Sequence, residues 1–217
     1  MDQFRIRALL KILRSGEYIL PLRNGEIVPS KPMLFHWFAV LLSFIFGRFD
    51  DFVLRLPSAL AAIGILVSSS LFSARFLGAR AGAMCAAILI TMPGFLSLAL
   101  DGRVDMVFAL FTTIAIHHWI LGVCQQQGDA AFSKHHLWII GGALGCAALA
   151  KGPLGIAFPL LIFLGTTIYL KPRKDIWKTI RSLFHTALVV ALLLKVVLYF
   201  AATVRGGWAF IERQLFF

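Results

Sequence analysis

Charge is scarce in this sequence. Asp, Glu, Lys and Arg make up 14% of the 217 residues, where soluble domains run near a quarter charged. A soluble chain of this size buries one core and covers it with charge, and here there is too little charge to do so. Acid is scarcer still, with 10 Asp and Glu against 21 Lys and Arg. There are only three cysteines, Cys85, Cys124 and Cys146. They show no CxxC spacing and no paired histidines at metal distances, which excludes a disulfide scaffold or zinc ribbon and leaves small packing residues. The first residues are polar and amphipathic, without the apolar h-region of a signal peptide. No base-stacking motif or basic groove pattern occurs, so no nucleic-acid partner is expected despite a net charge of +11.

Apolar residues fill the space that charge leaves. The chain is 59% hydrophobic, contains 20 Phe and has a mean hydropathy of +0.85. This composition predicts an all-α polytopic membrane protein of about six transmembrane helices plus re-entrant or interfacial helices. Its positive excess suits cytoplasmic loops and phosphate-bearing membrane lipids. The expected location is a bacterial-type inner membrane, crossed several times.

From Asp2 to Arg14, the apolar Phe4, Ile6, Leu9, Leu10, Ile12 and Leu13 alternate with Arg5, Arg7, Lys11 and Arg14, the pattern of a basic amphipathic helix lying in an interface. Leu20 to Ser30, with Pro21, Asn24, Gly25 and Pro29, reads as a loop. Pro32 to Phe46 is apolar but about 15 residues long, short of the roughly 20 that cross a bilayer, so a re-entrant or interfacial helix is expected. Leu56–Ala74, Ala81–Ala99 and Val104–Val123 each read as one span. Leu137–Leu170 is too long for one helix and is interrupted at Lys151, Gly152 and Pro153, which predicts two short spans and a tight turn. Phe184–Val204 is the last expected span, with Lys195 in its middle. The domain reading is an external amphipathic region over 1–55 and a helical bundle over 56–217, together one membrane domain.

Loop charge sets the expected orientation. The stretch Lys171–Arg181 holds Lys171, Arg173, Lys174, Lys178 and Arg181 against Asp175, and the positive-inside rule places it in the cytoplasm. Counting crossings back from there puts Arg75 and Arg80 inside. Asp2, Arg5, Lys31, Arg55, Asp101, Arg103, Asp105 and Lys151 then gather on the external face. A basic N-terminal segment on that side disfavours export without a preceding helix. Either the parity is reversed or a leading helix is missing, and the second reading is preferred.

These residues resemble a family. Asp2 to Arg5, Ser15 to Gly25 and Lys31 to Trp37 are similar to the first external loop of the polytopic GT-C glycosyltransferases. The nearest likeness is to the aminoarabinose transferases and the dolichyl-phosphate-mannose protein mannosyltransferase-like enzymes. Arg55 to Leu60, Arg75 to Gly82, Asp101 to Met106 and Lys151 to Pro153 continue the match in order. Each motif is weak alone; their order on one expected face is the specific feature. The resemblance implies a GT-C-like transmembrane module, truncated at both ends. It also implies transfer of a sugar from a polyprenyl-phosphate donor to a lipid, glycan or protein acceptor outside the membrane. By the same resemblance, the Asp opening the external loop, here Asp2, acts as or beside the catalytic base. The family pattern Asp-Glu is Asp2-Gln3 here. A Glu that helps hold a metal in some relatives is replaced by Ser30, so no metal ligand is assigned and a divalent metal is the one cofactor left open.

Such a reaction requires a carboxylate to take the acceptor's proton and cations to stabilise a departing lipid phosphate. Asp2 supplies the first. Arg5, Lys31, Arg55 and Lys151 are candidates for the second, because guanidinium and ammonium groups bind phosphate oxygens. Asp101, Arg103 and Asp105 are candidate substrate-binding residues. Simpler readings stand beside these. Asp2 suits a helix N-cap, Lys31 and Lys151 suit snorkelling anchors, and Arg55 suits a salt bridge with Asp50 or Asp51. Asp101 and Asp105 flank Arg103 as in a local ion pair, and His117-His118 and His135-His136 suit loop-end positions on the cytoplasmic side. A non-catalytic remnant, a small transporter or a glycolipid-binding protein is the alternative class of function.

Overall fold

The computed structural model describes residues 34–48, 50–125 and 133–170, the strand backbones at 22–23 and 26–27, and the single positions Arg181 and Val189. The expected helix at Asp2–Arg14, the basic loop apart from Arg181, and the Phe184–Val204 span apart from Val189 lie outside the described residues. Within Leu20–Ser30, read as a loop, β1 (Leu22–Arg23) pairs antiparallel with β2 (Glu26–Ile27), Leu22 opposite Ile27 and Arg23 opposite Glu26. Asn24-Gly25 separates the two strands in sequence, and that dipeptide is a strong hairpin signal. Every other described element is a helix.

Helix α1 (Leu34–Phe46) has 13 residues. At 1.5 Å per residue it is about 20 Å long, shorter than a bilayer core of about 30 Å. Leu34, Phe35, Ala39 and Val40 are buried, while Leu41, Phe44, Ile45 and Phe46 are exposed, so its apolar surface faces both inwards and outwards. Helix α2 (Asp51–Leu77, 27 residues) begins before the expected Leu56 because Asp50 caps it: the carboxylate accepts the Val53 N–H at 3.0 Å. It stops at Gly78, whose φ of +90° favours glycine.

The expected span Ala81–Ala99 is not one continuous helix, although its two parts together are long and apolar enough to cross a membrane. It is two helices, α3 (Ala79–Thr91) and α4 (Pro93–Leu100), bent by 68° at Met92. Pro93 is the cause. Its ring drives the preceding residue into extended conformation, and Met92 has φ −73° and ψ 115°. Pro93 also lacks the N–H needed to continue α3, but serves as the first residue of α4.

Helix α5 (Val104–Gln125) is long and apolar enough to cross a membrane, as is α2. Helices α6 (Lys134–Lys151) and α7 (Leu154–Leu170) meet at Gly152, with φ +65°, and Pro153, the tight turn expected between two short spans; by length and composition neither helix counts as a full span. Residue pairs in contact fix the directions. Ser58, Gly64 and Ser68 of α2 meet Arg103, Leu110 and His117 in turn, so α2 and α5 run parallel. His118 meets His136 and Asp105 meets Lys151, so α6 returns antiparallel along α5. Trp119 of α5 stacks on Phe163 of α7 at 4.9 Å and donates to Thr166 Oγ1 at 3.0 Å.

Helix α6 is the most enclosed element, with α1, α5 and α7 around it; its small residues Gly141, Ala143, Gly145, Ala147 and Ala148 let those neighbours come close. Large apolar side chains cover the outside, among them Leu71, Leu77, Met84, Leu161 and Tyr169. So much exposed apolar surface suits lipid and not water.

Candidate functional site at one end of the bundle

Three chain segments converge at the end where α2 and α5 begin and α6 finishes. Gly102, in the turn between α4 and α5, lies against the α2 backbone: a Cβ there would come 3.0 Å from the Leu54 carbonyl oxygen and 3.5 Å from the Arg55 Cα. The next residue, Arg103, is held to α2 by Ser58. The Arg103 N–H donates to Ser58 Oγ at 3.0 Å, and the Ser58 hydroxyl donates to the Arg103 carbonyl at 2.8 Å.

On the other flank of this turn, Lys151 Nζ lies 2.6 Å from Asp105 Oδ1 and 5.1 Å from the centre of the Phe108 ring. Asp105 and Phe108 are three residues apart and so lie on one face of the first turns of α5. That face fixes the lysine. As the last residue of α6, Lys151 also sits where the helix dipole favours a cation.

The structure therefore brings Arg55, Asp101, Arg103, Asp105 and Lys151 to one end of the bundle. Asp2, Arg5 and Lys31 lie outside the described residues. Arg103 pairs with Asp101, as the local reading expected, whereas Asp105 reaches across to Lys151 instead. Asp50 caps α2 and sits 3.4 Å from Arg48. Among these five residues three cations face two carboxylates. Lys151 and Asp105 are each about one-third exposed, and Asp101 and Arg103 slightly more, so an anionic ligand has access to them. An ammonium has three N–H donors, and Asp105 engages only one side of it.

Sequence reasoning passed over Ser58, Gly102 and Phe108. The first two stood inside quoted motifs, yet nothing in the spacing said that position 58 would touch position 103.

His117, His118, His135 and His136 occupy the opposite end. His118 Nδ1 lies 3.0 Å from His136 Nδ1, and His136 Nε2 lies 3.1 Å from Gln125 Oε1. A neutral His136 that donates through Nε2 to Gln125 accepts at Nδ1 from His118. His117 contacts Ser68 Oγ at 2.9 Å and stacks on Phe72 at 4.2 Å. Among the described residues no group of three or more His, Cys, Asp or Glu is arranged to hold a metal ion.

Comparison with known proteins decides the family. The sequence model of the dolichyl-phosphate-mannose-protein mannosyltransferase family matches residues 30–173, well over half of the chain. The chain belongs to this family of glycosyltransferases. Its helices also superpose on the crystal structure of ArnT from Cupriavidus metallidurans bound to undecaprenyl phosphate, with a TM-score of 0.82 and 25% identity. That match covers 97% of this chain and 39% of ArnT, so the membrane helices have the GT-C arrangement.

Among curated sequences, the undecaprenyl phosphate-alpha-4-amino-4-deoxy-L-arabinose arabinosyl transferase of Edwardsiella ictaluri (strain 93-146) is 27% identical over 85% of this chain and 32% of its own length. The enzyme of the same name from Shewanella sediminis (strain HAW-EB3) is 22% identical over 88% of this chain and 35% of its own. An uncharacterized protein of Aquifex aeolicus (strain VF5) is 26% identical over 73% of this chain and 30% of its own. The chain thus spans about a third of the length of the curated relatives it matches.

Proposed function

We propose that this chain carries the donor-phosphate side of a membrane glycosyltransferase that moves a sugar from a polyprenyl-phosphate carrier to a lipid, glycan or protein acceptor at the external face of an inner membrane. The observation that carries this reading is the convergence of Arg55, Arg103 and Lys151 with Asp101 and Asp105 at one end of the helices. The fold match to a protein crystallised with undecaprenyl phosphate supports it.

In this reading Asp2 is the general base and takes the proton of the attacking hydroxyl. Arg5, Lys31, Arg55 and Lys151 receive the carrier phosphate, whose negative charge grows as the sugar departs. Asp101, Arg103 and Asp105 line the substrate, and Asp105 holds Lys151 in place until phosphate arrives. Ser30 stands where the resemblance expects a Glu that helps hold a metal, so no metal ligand is assigned.

Binding tests the reading directly. With the protein in lipid nanodiscs titrated with undecaprenyl phosphate, Arg55→Ala and Lys151→Ala should each weaken binding about tenfold, the scale of one lost charge-assisted hydrogen bond. Unchanged affinity in the double variant would remove this end of the bundle from the site. Lipid-phosphate binding without sugar transfer by the full-length protein would favour the glycolipid-binding alternative.

Topology supplies an independent check. Single cysteines introduced at 55, 105 and 151 in a cysteine-free background should react with impermeant reagent from one side of the membrane, and one at 181 from the other. Labelling of 105 and 181 from the same side would contradict the external placement.

A further inference from the structure

We propose that Ser58 is a positioning residue for the phosphate-binding end, a role that rests on the functional reading above and extends it to a residue that binds no substrate. The need for it arises in the backbone. Arg103 immediately precedes α5, and a residue at that position has an N–H that no intrahelical bond takes up. Helices usually solve this with a local Ser, Thr, Asp or Asn; here the residue is Arg. The Arg103 N–H instead finds Ser58 Oγ on α2, 45 positions earlier in the sequence, and the same hydroxyl returns a bond to the Arg103 carbonyl. Ser58 is fully buried, so its hydroxyl bonds to Arg103 away from bulk solvent.

One turn earlier on α2, the Leu54 carbonyl packs against Gly102 so closely that a Cβ there would require its neighbour to give by a few tenths of an ångström. Positions 54 and 58 share a helix face. Consecutive residues of the turn therefore rest on consecutive turns of α2, one through a close approach and one through paired hydrogen bonds.

The charged residues hang from this latch. Asp101 and Arg103 belong to the turn itself. Asp105 lies in the helix that starts from it and carries Lys151, while Arg55 is beside the contact on α2. If the turn lifts from α2, Arg55 separates from Arg103 and Lys151, and no single phosphate can engage them together. Ser58 thus sets the spacing between cations that come from different helices.

The test uses the protein in nanodiscs, undecaprenyl phosphate as the probe, and thermal melting of each variant. Ser58→Ala removes both hydrogen bonds and should weaken binding about tenfold. Gly102→Ala pushes on the latch from the other partner and should weaken binding in the same direction. Ser58→Thr keeps the hydroxyl and should restore affinity to within about threefold of wild type, since it can still donate to and accept from Arg103. Thr112→Val removes a different buried hydroxyl of α5 that has no hydrogen-bond partner, and should leave affinity unchanged.

Wild-type melting with weakened binding in Ser58→Ala and Gly102→Ala, and recovery in Ser58→Thr, is the expected result. Ser58→Ala binding as tightly as wild type would overturn the proposal. So would binding losses that merely follow losses of melting temperature, or an equal loss in Thr112→Val. Failure of the wild type to bind the lipid phosphate would instead overturn the functional reading, and the role of Ser58 with it.

Discussion

Asp2→Asn is expected to lower sugar transfer by about 10²–10⁴-fold, the usual contribution of a positioned general base, while undecaprenyl phosphate still binds. Asparagine keeps the size and hydrogen-bonding reach of aspartate but cannot accept a proton at neutral pH. The attacking hydroxyl must then lose its proton to water, and the penalty falls on the chemical step. Lys31→Ala should behave differently. A cation on the carrier phosphate acts before and during departure, so both affinity and turnover should fall. The measurement is sugar transfer by the full-length protein in membranes, run beside donor-lipid titrations of the same variants. Unchanged turnover in Asp2→Asn would remove Asp2 from the mechanism. Equal loss of binding and turnover would reassign it to holding the substrate.

Trp119→Ala is expected to produce the largest loss of stability among single substitutions in the bundle. Trp119 is fully buried between α5 and α7, stacked on the equally enclosed Phe163, and its indole N–H is bonded to Thr166 Oγ1. Trp→Ala in soluble cores costs about 3–5 kcal/mol. In a bilayer the lower end, about 3 kcal/mol, is expected, because lipid instead of water receives the exposed surface while the cavity remains. Trp119→Phe keeps the ring stack and drops the hydrogen bond, so about 1 kcal/mol should be lost. Thermal or SDS-driven unfolding in detergent measures both. An alanine variant as stable as wild type would show that α5 and α7 are held together elsewhere.

Stability and the proposed chemistry occupy different levels of the bundle. Trp119 lies in the later turns of α5, towards the histidine end, whereas Asp105 is in its first turn. A Trp119 variant that still folds should therefore bind the lipid phosphate as wild type does, which separates loss of fold from loss of site.

The sequence by itself determined the class of molecule. Too little charge and an excess of apolar residues leave no other solvent than lipid. Backbone-level signals were equally local: Gly152-Pro153 ends one helix and starts another, and the apolar run after Pro32 is only about 15 residues long. Met92-Pro93 carried the same kind of signal, but the apolar run on either side is as long as a span and hid the break. The tertiary structure alone decided which residues meet. The pairs Ser58–Arg103, Asp105–Lys151, His118–His136 and Trp119–Thr166 join residues 45, 46, 18 and 47 positions apart. A helix that is apolar on every side has no amphipathic stripe to show which face turns inwards. Periodicity could therefore place the helices in the membrane but could not pair their faces. Pairing came from a few polar contacts and close backbone approaches, which exist only once the helices are packed.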